Sequence, residues 1–153
     1  MSSMTTAPLF TAAASTFEDL ACLLPTDQLD EVQASADPEA EAHVAFTGPF
    51  AGTLVVRMHG RLLPLVAANM LGTDEPSQSL QLDALGEIAN VLCGNLLPLV
   101  AGGCPVFDLE APRVCILTGE ESPPATLPSA SLCLGIEHGW VEVALYLKGG
   151  LPA

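Results

Sequence analysis

Leu85-Gly86-Glu87-Ile88-Ala89-Asn90-Val91-Leu92-Cys93-Gly94-Asn95 lies at the centre of a helical run from Leu80 to Pro98. An α-helix turns about 100° per residue, and over this stretch it separates two faces. Leu85, Ile88, Ala89, Leu92, Leu96 and Leu99 fall within roughly 100° of one another, a stripe suited to a core. Asp83, Glu87, Asn90 and Gly94 fall within roughly 60° on the opposite side. A carboxylate and a carboxamide therefore stand on adjacent turns, facing away from the core. Gly94 keeps that surface low, so another macromolecule can approach closely. Pro98 lacks an amide hydrogen and predicts a kink or an end nearby. Exposed acids opposite an apolar stripe occur on any surface helix, but Asn disfavours helix interiors and has no capping role here. Gly94 costs the helix roughly 1 kcal/mol relative to Ala. Two poor helix formers beside Glu87 point to something beyond folding.

Outward from this helix, the sequence alternates between helical and strand periodicity. On the N-terminal side, residues 1–8 are small and polar and read as a flexible lead into a single domain over 9–150. Ser15 or Thr16 can cap a helix in which Phe17, Leu20, Ala21 and Leu24 recur at helical spacing, ended by Pro25. The acidic segment to Glu41 is open between alternatives. His43 to Thr47 and Thr53 to His59 alternate as strands around Gly48-Pro49, with Leu54, Val56 and Met58 opposite Val55, Arg57 and His59. A short helix over Arg61 to Leu71, with Pro64 in its first turn, stops at Gly72, and Thr73 to Ser79 reads as a linker.

On the C-terminal side, Arg113 to Thr118 has strand character, and Gly119 to Ser129 reads as an exposed proline-containing loop. Ser131 to Glu137 and Trp140 to Leu147 form a strand pair joined at His138-Gly139, with Val141, Val143, Leu145 and Leu147 on one face. The sum is an α+β domain with long helices packed on an antiparallel sheet. A weak internal duplication shows in the echo between Ala68-Asn69-Met70-Leu71-Gly72 and Ala89-Asn90-Val91-Leu92-Cys93-Gly94.

Composition narrows the function classes. The 153 residues carry 18 acidic against 4 basic side chains, a formal net charge of −14. Arg57, Arg61, Arg113 and Lys148 are scattered, so nothing supplies the clustered cations that nucleic acid requires, and an anionic membrane would repel the chain. The acids between Glu18 and Glu41 read as a solubilising surface. Ile88 to Phe107 carries no charge but contains Asn90, Asn95, Pro98 and Pro105, which fits a buried helix running into a turn rather than a membrane span. No Lys or Arg precedes Arg57, unlike a secretory signal. Five cysteines (Cys22, Cys93, Cys104, Cys115, Cys133) without a C-x-x-C pair read as reduced, buried thiols of a cytosolic protein. His43, His59 and His138 show no metal-ligand spacing, so no metal site is expected in this chain.

The quoted helix resembles the active-site helix of the CheC/CheX/FliY family of chemotaxis phosphatases. That family's signature runs Asp or Ser, then Glu, then Asn, and a Pro about twenty residues downstream. Asp83, Glu87, Asn90 and Pro112 follow that order, joined by the Gly94-Asn95 pair. The order and size of the flanking elements over residues 15–148 resemble the CheX branch, with its pseudo-duplicated architecture. Members of the CheC branch carry two such helices. Here Glu18 is followed by Ala21 and Asn69 is preceded by Val66, which leaves one complete pair and favours the CheX-like branch.

The resemblance implies hydrolysis of the aspartyl phosphate on a phosphorylated CheY-like receiver domain of two-component signalling. Asn90 would orient the attacking water and Glu87 would pair with a receiver lysine. Asp83 and Gly94 would contact the partner, although Asp83 also suits the positive start of the helix. A carboxamide suits its role because it holds a water without titrating. No cofactor is expected in this chain, since the receiver would bring its own Mg²⁺. A homodimer formed through the sheet and a cytoplasmic location are further implications. Two alternatives stay open: a catalytically silent adaptor that binds a receiver or a flagellar switch component, and an acidic interaction domain drifted from its ancestor.

Overall fold

The computed structural model describes residues 3–103 and 105–149. Its elements are α1 (Ser3–Ala21), α2 (Glu31–Ala34), β1 (Pro38–Thr47), β2 (Gly52–His59), α3 (Leu63–Leu71), α4 (Gln78–Ala101), β3 (Asp108–Leu109), β4 (Arg113–Ile116), β5 (Ala130–Ile136) and β6 (Gly139–Leu147). Alternation sets the sheet: Ala40, Ala42, Val44 and Phe46 of β1, Leu54, Val56 and Met58 of β2, and Val141, Val143 and Leu145 of β6 are all buried on one face. α1, α3 and α4 cover that face, α4 packing against both other helices. The α+β architecture expected from the sequence is the observed one.

All pairings are antiparallel, in the order β3-β1-β2-β6-β5, with β4 also on the outer edge of β1. The hairpin β1–β2 meets the hairpin β5–β6 through β2 and β6. α3 starts where Pro64 needs no amide partner, and the Glu39 carboxylate of β1 accepts from the Leu63 amide at 3.1 Å. Gly72, at φ 69°, ends it in the left-handed conformation that glycine adopts without strain.

Several boundaries differ from the sequence reading. α1 begins at Ser3 rather than near Ser15, because Leu9, Ala12 and Ala13 extend the buried stripe that Phe17 continues. Thr16 caps nothing; its hydroxyl donates to the Ala12 carbonyl at 2.7 Å, within the helix. β1 reaches back to Pro38, and the ambiguous acidic segment also holds α2, closed by reciprocal bonds between Asp30 and Gln33. Pro98 does not end α4, which continues to Ala101. Leu99, placed on the core stripe by its angle, is 49% exposed because the helix has passed the edge of the sheet there.

The thiols are a further correction. Cys93 is buried, but Cys22, Cys115 and Cys133 are exposed, and Cys104 lies outside the described residues. Burial pushes the Cys93 thiol up to about 12. By length and composition α4 could cross a membrane, but half of its most apolar window is buried against the rest of the protein.

Candidate functional site

α4 is held at both ends by side chains. At its start the Ser77 hydroxyl accepts from the Leu80 amide at 3.2 Å. Near its other end the Asn95 amide donates to Thr16 Oγ1 of α1 at 3.1 Å. Between these points Leu85, Ile88, Ala89, Leu92 and Leu96 are fully buried, which fixes the helix in rotation as well as position. The opposite face then points to solvent. Asp83, Glu87 and Gly94 are exposed and Asn90 is half-buried; the structure brings Asp83, Glu87 and Asn90 to one cavity, while Gly94 lies a turn further along the same helix outside its lining.

The asparagines separate into two kinds. Asn95 ties α4 to α1, and the Asn69 amide donates to the Ala21 carbonyl at 2.8 Å, holding α3 to the end of α1. Asn90 forms no hydrogen bond among the described residues, and neither do Glu87 and Asp83 form any bond or ion pair there. The carboxamide and both carboxylates thus have their full hydrogen-bonding capacity free.

These groups do not lie on an open helix surface. They form one wall of a cavity of about 370 Å³, and Glu110, Ala111 and Pro112 form the other. A β-bulge builds that second wall. Phe46 pairs with Leu109 and His43 with Arg113, so residues 110–112 face only Val44 and Ala45 on β1. The Glu110 amide still donates to the Ala45 carbonyl at 2.8 Å, and the extra residue pushes the chain outward after it. Proline is tolerated at such a bulge because its position needs no ladder donor. Pro112 then meets α4 at Gly86, where a Cβ would lie 3.3 Å from Pro112 Cγ. At the far side Phe107 packs edge-on to Phe46 and Phe50, at centroid distances of 5.9 and 5.0 Å, and anchors the return from α4.

Close approach within the chain therefore depends on Gly86. Gly94, which the sequence reading credited with lowering the surface, would place a Cβ with nothing within 4 Å. Sequence reasoning missed Gly86 and Glu110; a glycine inside a buried, otherwise well-formed helix was the available signal for the first. Glu110 left none, since its place depends on the bulge. Asp83, Glu87 and Glu110 all line the cavity, and no Lys, Arg or His does. Such a surface repels a free phosphate ion and attracts a partner that presents cations. Among the described residues no group of three or more His, Cys, Asp or Glu side chains could hold a metal ion.

This fold, an antiparallel sheet covered on one face by a helical layer, recurs in solved chemotaxis proteins. The chemotaxis protein CheX from Desulfovibrio desulfuricans is similar with a TM-score of 0.76 and 20% identity, covering 94% of this chain and 99% of that one. CheX from Vibrio vulnificus gives 0.73 and 17%, covering 94% and 96%. The CheX-CheY-BeF3-Mg²⁺ complex from Borrelia burgdorferi gives 0.66 and 17%, covering 94% and 97%. At these identities the likeness establishes the fold. No curated protein matches the sequence. The family described as chemotaxis phosphatase CheX matches over residues 41–133, more than half of the chain, and the chain belongs to that family.

Proposed function

We propose that this protein hydrolyses the aspartyl phosphate of a CheY-like receiver domain, with Asn90 orienting the attacking water and Glu87 anchoring a receiver lysine. The observation that carries the reading is the free Asn90 carboxamide beside the free Glu87 carboxylate, in a cavity walled by Pro112. Two further supports come from the comparisons: membership of a family described as a chemotaxis phosphatase, and a similar chain in complex with CheY.

In the reaction, water oxygen attacks phosphorus in line as the bond from phosphorus to the aspartyl oxygen breaks, releasing inorganic phosphate and the receiver carboxylate. The receiver's own Mg²⁺ and lysine carry most of the charge, and positioning is what remains to be supplied. Asn90 accepts from the water through its carbonyl and stays neutral throughout. The acidic cavity would oppose a bare phosphate, so the phosphoryl group must arrive shielded by the receiver's cations. Asp83 and Gly94 border the same docking surface.

A homodimer formed along the edge of β5 and a cytoplasmic location complete the proposal. β5 ends the sheet; Thr26 bridges Gly135 and Gln33 bonds the Glu137 carbonyl at one end of it, and among the described residues no further strand pairs along that edge.

The test is to add a trace of this protein to a molar excess of purified phospho-receiver and follow phosphate release. Many turnovers per chain are expected. A stable complex without release would instead establish the silent adaptor.

A further inference from the structure

The geometry points to a second site, an anion-binding cavity on the outer face of the sheet that takes a small phosphate- or carboxylate-bearing molecule. This face lies across the sheet from α4. A cavity of about 420 Å³ opens there between the strands and the segment that contains Ser122, Pro124 and Thr126. The loop is shaped in advance: the Glu121 carboxylate accepts from the Thr118 amide at 2.8 Å and the Gly119 amide at 2.9 Å.

Strand alternation delivers the cations. Val114 packs inward toward Gly86, so Arg113 turns outward, beside its cross-strand partner His43. The next row pairs Glu41 with Arg57. Two of the four Lys and Arg side chains of a chain with net charge −14 thus line one cavity, together with one of its three histidines.

Glu41, the only carboxylate that lines the cavity, is already engaged. It lies 2.7 Å from Arg57 and 2.8 Å from His43. Arg57 also lies 3.8 Å from Glu142. Among the described residues, Arg113 has no carboxylate within ion-pair distance. Arg113 is therefore the guanidinium at this cavity left for an outside anion. Thr53, Ser122, Thr126 and Tyr146 supply hydroxyl donors around the same space. Arg113 offers the planar fork that matches phosphate or carboxylate oxygens in pairs.

The experiment titrates the full chain with inorganic phosphate in one arm and succinate in the other, reading backbone amide shifts by NMR. Saturable shifts centred on His43, Arg113 and Tyr146 are expected in at least one arm, and the stronger arm tells a phosphoryl ligand from a dicarboxylate. Arg113→Ala, at an exposed position that leaves the Glu41–Arg57 pair intact, is expected to weaken that binding at least tenfold. Its unchanged melting temperature would show that the fold is kept. Absence of saturable shifts in both arms would overturn the site, as would equal binding by Arg113→Ala. Shifts that follow protein concentration rather than anion concentration would also overturn it, since a second copy of the chain would then cover this face.

Discussion

Gly86 and Gly94 lie two turns apart on α4 and have opposite surroundings, so they separate folding from function. At Gly94 a Cβ meets nothing, and Gly94→Ala should stabilise the free protein by about 1 kcal/mol, raising its melting temperature by roughly 2–4 °C. The same methyl would stand on the proposed docking face, so the KM for phospho-receiver should rise while the free protein becomes more stable. At Gly86 the neighbouring Pro112 is already at 3.3 Å. Gly86→Val must push the 110–112 wall outward, and we expect a loss of about 1–3 kcal/mol on denaturant unfolding together with reduced turnover. A Gly86→Val protein with unaltered stability would contradict the packing described here. The sequence placed Glu87 and Asn90 correctly because helix periodicity alone aims them. It did not show the close approach at Gly86, because Pro112 reaches α4 through a bulge between distant strands, which no local pattern encodes.

At the scale of the elements, the orientation of α4 rests on its buried stripe and on the Thr16–Asn95 hydrogen bond to α1. Thr16→Val keeps the shape and removes both the bond to Asn95 and the hydroxyl's bond to Ala12. It should cost about 1 kcal/mol in urea unfolding and leave turnover nearly unchanged. Leu92→Ala, at a fully buried position, should cost about 2–5 kcal/mol. The strands and helices were largely legible because alternation and the 3.6-residue period both depend on the burial they report. The start of α1 misled because a local cap signal yields when an apolar stripe continues past it. Leu9, Ala12 and Ala13 extend α1 in that way. Asn69 and Asn95 illustrate the same limit. Neither has a Glu three residues before it, as Asn90 does, and only tertiary contacts show that they serve to join helices.

Over the whole molecule, charge and buried titratable groups set the response to solution conditions. His59 is 5% exposed and stacks on Trp140 at 3.6 Å, and burial lowers its pKa below the ordinary 6.5. The unfolded chain therefore takes up a proton first, and stability should fall as pH drops through about 6.5. His59→Phe retains a stacking ring and should flatten the stability profile in that window. Burial pushes Glu41 up, but hydrogen bonds from His43 and Arg57 outweigh it and leave the carboxyl lowered from 4.5. That contribution is present above 4.5 and is lost at more acidic pH, so the two groups can be told apart. The net charge is −14, and the charged residues that line the cavity, Asp83, Glu87 and Glu110, are all acidic, so the proposed docking should be electrostatic. Raising the ionic strength should therefore lower kcat/KM for the phospho-receiver more than kcat. The role of Asn90 is read from the dephosphorylation rate of a saturating phospho-receiver with Asn90→Ala. That rate should fall about 10²-fold or more with receiver binding retained, the loss typical of a group that acts only in the transition state. A rate equal to that of the unsubstituted protein would contradict that role.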